Sequence, residues 1–351
     1  MSQPADSPVW EPPLPRQLPT LREHLAGHLR SEPAYLFTMA ALKAGRGTIR
    51  PDTSPELGAA LLLEDEHQRL RHAQLFYVTA DITTLIRQAA PSLKDEWGIQ
   101  PHDIPAQTGF MLFADPMAEY VREDGVRIDI VAVSWGETDL LSSSTGGLWV
   151  TFWSATDFTA LRRLARAAGA NPREADVMAR SQAAELTWDN EVYMPWGAGR
   201  PEVPDPGDGV RAVDPRRTAA AKTTLGWLQT VHAAWIFCTP NTLTETSEEH
   251  LPRTQRIRAE RAGHNATPVR VVSVSRKRVR SSARPGEPSG RTVSVRFPVA
   301  PFIRNQAYGP GRQFRRLTPI AGHWRGPADA PVRISKTVNL VDTPVDRRPA
   351  S

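Results

Sequence analysis

Cysteine is nearly absent from this 351-residue chain: Cys238 stands alone. No disulfide can close within it, which fits a reducing compartment. Long apolar runs are missing too. The longest, Ala59 to Leu63 and Ala233 to Cys238, fall far short of the about 18 residues that a membrane-spanning helix needs. The first residues carry Asp6 and several prolines, with no basic stretch leading into an apolar one. No secretory signal is therefore expected, and the expected location is cytoplasmic, with no membrane partner. Walker A, GxGxxG, GxSxG and CxxC patterns are all lacking, so no catalytic motif is complete and no cofactor is implied.

Metal-ligand spacing is equally thin. His24 and His28 share a helix face at i, i+4, but no third ligand is near and the HExxH order is absent. The expected metal set is none. Glu64-Asp65-Glu66-His67 reads as a charged helix start. Trp188-Asp189-Asn190-Glu191 could hold a cation, but reads better as a cap or loop before a Trp/Pro/Gly stretch. Cys238, at an apolar helix end, is expected to be buried and inert.

What the chain does have is a charge split. Residues 253–351 hold 21 Lys/Arg against 5 Asp/Glu, a balance of +16, while residues 1–252 carry 22 against 33, or −11. A basic segment of this kind suits a polyanion. The alternative is that the acidic part neutralises the basic part within the fold.

The expected class is α+β: N-terminal helices packed on a small sheet, then a helical pair and a basic, antiparallel, β-rich C-terminal module. Residues 1–19, with six prolines, read as an extended or disordered arm. An α+β domain spans 20–194, with helices over Leu18 to Leu29, Ala34 to Leu42, Ile82 to Ala89 (Asp81 as cap), Thr156 to Ala168 and Pro172 to Ala184. Strands are expected over Phe110 to Phe113, Arg127 to Trp135 and Leu148 to Trp153. Residues 195–215 are a Pro/Gly linker. The helical pair covers 216–263, as Arg216 to Phe237 and Glu245 to Ala262. The basic module covers 264–345, with strands over Val269 to Val279, Arg291 to Phe297, Leu317 to Ile320 and Val332 to Val341. Residues 346–351 are a tail.

The densest constellation runs from Phe302 through Arg304, Asn305, Gln306, Tyr308 and Arg312 to Arg315 and Arg316. His323, Trp324 and Arg325 follow it. Guanidinium groups grip phosphates, often bidentately. Tyr308 and Trp324 could stack on unpaired bases, a combination that suits RNA or single strands better than a duplex groove. These ten residues, Arg304 to Arg325, are the expected nucleic-acid-binding set. The bland reading keeps the aromatics in a core and the arginines on a solvated face. His323 is the weak catalytic candidate, with Arg304 or Arg325 stabilising phosphate charge in a metal-independent ribonuclease or toxin. Only one histidine lies there, and Tyr308 is a poor base.

The same residues carry a resemblance. Arg304-Asn305-Gln306-Ala307-Tyr308-Gly309-Pro310-Gly311 and His323-Trp324-Arg325-Gly326-Pro327 are similar to a family found on actinobacterial phages, plasmids and integrated elements. So are Phe76-Tyr77-Val78-Thr79, Thr108 to Pro116, Val133-Ser134-Trp135-Gly136 and the Trp227–Gly263 segment, which together cover most of residues 70–340. Distantly, the chain resembles the proteins grouped as type V-A anti-CRISPR-like. The resemblance implies a partner in the host bacterial cell: RNA or a ribonucleoprotein, such as a CRISPR effector or its nascent chain. Where relatives tend to have Gly-His-Trp-Arg before the Gln-x-Tyr-Gly motif, this chain has Pro301-Phe302-Ile303-Arg304. The missing histidine argues against catalysis and leaves binding intact. The leading expectation is thus a non-enzymatic RNA-binding protein. The alternatives are an inhibitor that docks an acidic protein, and a ribonuclease.

Overall fold

The computed structural model describes residues 10–47, 53–94, 96–122, 126–140, 146–197, 215–261, 267–275, 295–327 and 330–332. The class is α+β, as expected, but the sheet is large. Eight strands build it: β1 (Gln74–Val78), β2 (Gly109–Phe113), β3 (Ala118–Val121), β4 (Arg127–Gly136), β5 (Gly147–Ala155), β6 (Leu186–Pro195), β7 (Thr244–Glu249) and β8 (Val269–Val274). They lie in the order β6-β5-β4-β2-β1-β8-β7, with β3 on the first half of β4. β1 is parallel to β2 and β8, and the other neighbours are antiparallel.

The central strands are apolar on both faces because both faces are covered. Alternation sends Leu75, Tyr77, Phe110 and Leu112 toward α1 (Leu18–His28) and α3 (Pro55–His72). It sends Phe76, Val78, Met111 and Phe113 toward α4 (Ala80–Ala89) and α7 (Pro215–Cys238). Strand β2 approaches β4 closely at Gly109, where a Cβ would run into the Trp135 ring. Helix starts follow local chemistry. Ser31 and Ser54 accept the backbone N–H of Ala34 and Leu57 at α2 (Glu32–Lys43) and α3, each with proline in the first turn. Asn171 and Glu174 close a capping box at α6 (Pro172–Gln182), which pairs with α5 (Phe158–Ala167).

Several expectations are corrected. Asp81 is not the cap of α4; Thr79 holds that position and Asp81 sits in the first turn. The proline arm over 1–19 enters the fold in its second half: the Trp10 indole donates to Phe113 O at 3.1 Å, and Leu18 and Pro19 are buried. The helix expected over Glu245 to Ala262 is strand β7 followed by α8 (Arg253–Arg261). Pro252 cannot continue a helix from upstream, and Thr244, Thr246 and Ser247 pair with β8. Strand β8 joins the large sheet between β1 and β7, whereas the later strands of the basic segment form two separate two-stranded antiparallel sheets. Most of the 195–215 linker, the 276–294 stretch and the strand expected beyond Val332 lie outside the described residues. Among the described residues, no helix is long and apolar enough to cross a membrane.

Two polar clusters sit inside. Glu64 to His67 is the middle of α3, not a helix start. Glu66 is fully buried and accepts Ser134 Oγ at 2.5 Å, Thr151 Oγ1 at 2.8 Å and Arg69 Nε at 3.1 Å. The 188–191 run is strand, with a bulge at Asp189, not a loop or cap. Tyr120 donates to Asp189 Oδ2 at 2.9 Å. Burial pushes the Asp189 carboxyl up to about 6, although hydrogen bonds from Tyr120 and Ser154 oppose this.

A folded-state value above the unfolded one means that native protein binds the extra proton. Stability from this group is complete below the unfolded value and lost as pH rises to about 6. Asp189→Asn should remove that loss. Relative to wild type, the variant should gain about 1–3 kcal/mol between pH 4 and 7.5 in urea-unfolding midpoints. A pH-independent difference would rule this out.

Candidate nucleic-acid interface

The basic segment folds over α7. From Val231 to Phe237 every residue of that helix is buried. One side faces the sheet, and others meet α4, the short turn Ala90–Ser92 and a hairpin of β10 (Phe302–Tyr308) and β11 (Phe314–Ile320). Burying a side chain such as Ile303 of the hairpin contributes roughly 1.5–3 kcal/mol, which helps to seat it. Ile303 and Pro319 are buried and Leu317 packs on the same core. The Ile303 N–H donates to Ser92 Oγ at 2.8 Å.

Register and pleat decide the outer face. Phe302 pairs with Ile320, Arg304 with Thr318, Gln306 with Arg316 and Tyr308 with Phe314. These alternate with the inward Ile303, Asn305, Ala307, Pro319, Leu317 and Arg315. The outer strip therefore reads Phe302, Arg304, Gln306 and Tyr308 on one strand, and Phe314, Arg316 and Thr318 on the other. The Tyr308 ring lies 5.6 Å from Phe314, with the Arg316 guanidinium 5.4 Å over it. Arg304 donates to Gln306 Oε1.

The turn between the strands needs its glycines. Gly309 has φ +78, and a Cβ there would sit 2.6 Å from the Phe314 ring. Arg312 also adopts a positive φ of 56° and is exposed. Beside the hairpin, β12 (His323–Arg325) pairs with β9 (Phe297–Val299). The His323 ring is 6.5 Å from Phe302, so it extends the outer strip. Alternation turns Trp324 to the other side of that ribbon, where Arg296 stacks on it at 5.3 Å.

The ten expected residues are thus divided. Arg304, Gln306, Tyr308, Arg316 and His323 come together on or beside one face, and Arg312 lies in its turn. Asn305 and Arg315 belong to the opposite face, and Arg315 is nonetheless exposed. Trp324 faces away from the strip, and Arg325, exposed at the end of β12 opposite Phe297, alternates back to the side of His323. Sequence reasoning missed Phe314 and gave Phe302 no role; the period-two spacing of 302, 304, 306 and 308 was the available signal.

The electrostatics are one-sided. Residues 295–327 contain six arginines and no Asp or Glu. Elsewhere some arginines find carboxylates: Arg30 meets Glu64 at 2.8 Å, Arg127 meets Glu119 at 2.6 Å and Arg162 meets Asp176 at 2.8 Å. Among the described residues, no ion pair joins Arg304, Arg312, Arg315, Arg316 or Arg325 to a carboxylate. His323 Nδ1 lies 3.2 Å from Ala321 O, and 295–327 holds no second histidine.

Other candidates disperse. His24 pairs with Glu185 at 3.3 Å, while His28 meets Ser31 Oγ at 3.3 Å. Among the described residues no three His, Cys, Asp or Glu gather as a metal site. Cys238 is partly exposed as a residue, yet burial of its thiol pushes it up to about 12, far from a reactive thiolate.

No family model and no curated protein matches the chain. Among solved structures, the crystal structure of AcrVA2 is similar with a TM-score of 0.35 and 12% sequence identity. The match covers 89% of this chain and 97% of that one.

Proposed function

We propose that this chain binds RNA or a ribonucleoprotein through the outer face of the β10–β11 hairpin, without catalysis of its own. One observation carries the reading: arginines with no carboxylate partner among the described residues share an exposed strip with aromatic rings. Exposure is 43% at Tyr308 and 53% at Phe314, high for large apolar side chains. Arginine over tyrosine is a platform that suits both a phosphate and a base. An acidic protein would use the arginines but leave the rings without purpose. With a lone histidine and no carboxylate on the segment, proton transfer to and from a ribose hydroxyl lacks a second group, so the face grips rather than cuts.

The sequence resemblance gives the reading its setting. The partner would be a CRISPR effector or the RNA and nascent chain that make it, and the protein an anti-CRISPR-like inhibitor from a phage or mobile element. The direct test is fluorescence anisotropy with a labelled RNA oligonucleotide at low salt. Saturable binding is expected, with the RNA recovered intact. No binding ends the reading, and cleaved RNA replaces it with the ribonuclease.

A further inference from the structure

We infer that the strip takes a single strand of about 4 nucleotides laid along β10, with bases stacked at both ends and phosphates held by the arginines along it. This rests on the nucleic-acid reading above. It adds the form of the ligand and its footprint.

The strip has two aromatic stations. One is Tyr308 with Phe314 at 5.6 Å and Arg316 over the tyrosine face at 5.4 Å. The other is Phe302 with His323 at 6.5 Å. Six strand steps separate Phe302 from Tyr308, a span of about 20 Å. That matches the short end of single-strand footprints, about 4 nucleotides. Between the stations lie Arg304, Gln306 and Thr318, a guanidinium, an amide and a hydroxyl, and no carboxylate. Rings at both ends, with positive charge running from Arg304 in the middle to Arg316 and Arg312 at the Tyr308 end, is a layout that suits a splayed strand. A duplex keeps its bases stacked on each other and cannot offer them to either station. Trp324 takes no part, because it faces away and already stacks with Arg296.

The test uses the full chain and labelled RNA and DNA homopolymers of increasing length, with a blunt duplex as control. Affinity should climb steeply up to about 4 nucleotides and then flatten. The single strand should bind about tenfold or more tighter than a duplex of equal length, and the RNA and DNA arms show which sugar the strip prefers. The double substitution Tyr308→Ala and Phe314→Ala should cost about tenfold or more on the single strand and leave duplex binding unchanged. Both rings are exposed, so an unchanged melting temperature certifies the fold.

Equal affinity for single strand and duplex, with no effect of the double substitution, overturns the inference while the nucleic-acid reading stands. Failure to bind any nucleic acid overturns both.

Discussion

Glu66→Ala should cost about 3–5 kcal/mol of stability, the range for breaking a buried ion pair from one side. Total stabilities are about 5–15 kcal/mol, so much of the variant should be unfolded or insoluble at 37 °C. The carboxylate is wholly buried and serves three donors, Ser134, Thr151 and Arg69. Two of these carry the network on: Ser134 accepts the Trp153 indole at 2.8 Å, and Thr151 accepts the Trp149 indole at 3.0 Å. Removing the carboxylate strands polar groups between α3 and the middle of the sheet, where water cannot replace it. Arg69 keeps Asp65 at 2.6 Å and the Glu137 carbonyl at 3.1 Å, which limits the loss. Glu66→Gln keeps the shape and should lose clearly less. Replacing Glu66 and Arg69 together by leucine should also be milder than the single alanine, because no buried charge is orphaned. Urea unfolding measures all three. An alanine variant within about 1 kcal/mol of wild type would remove this network from the stability of the fold.

The second large effect concerns function. Combined alanine substitution of Arg304, Arg312 and Arg316 should weaken RNA binding by about a hundredfold or more at low salt. Hydrogen bonds to charged groups contribute about 1.5–3 kcal/mol each, and the three losses fall on one strand of nucleic acid. The fold should be untouched. All three side chains are exposed, and no carboxylate among the described residues depends on them. An unchanged melting temperature with lost binding is the expected pair of results. Unchanged binding would move the site elsewhere.

Much of this was legible in the sequence. The strands β2, β4 and β5 and the helices α1, α2, α4, α5 and α6 follow from apolar spacing and caps within a few residues. The basic segment and most of the residues proposed to bind follow from composition. What the sequence hid has physical causes. Strand β6 carries Asp189, Asn190 and Glu191, polar residues that read as a loop; they are tolerated because Tyr120, Ser154, Thr224 and Trp188 satisfy them. Strand β7 is an acidic edge strand with little apolar alternation, so only its partner β8 reveals it. The 64–67 run read as a charged helix start because burial of Glu66 depends on residues about 70 positions away. At the site, a tight cluster in sequence splits across two faces of a hairpin. Pleat, not proximity, places Tyr308 with Phe314 and turns Trp324 away.

Salt dependence tests the central claim most directly. A strand of about 4 nucleotides offers about three phosphates to Arg304, Arg312 and Arg316, so log affinity should fall against log salt with a slope of about −2. That is a loss of about tenfold or more between about 50 and 200 mM salt. The alanine triple variant should show a slope near zero. A wild-type affinity that does not change with salt, or no RNA binding at about 50 mM, would contradict the reading of this face as a grip on nucleic acid.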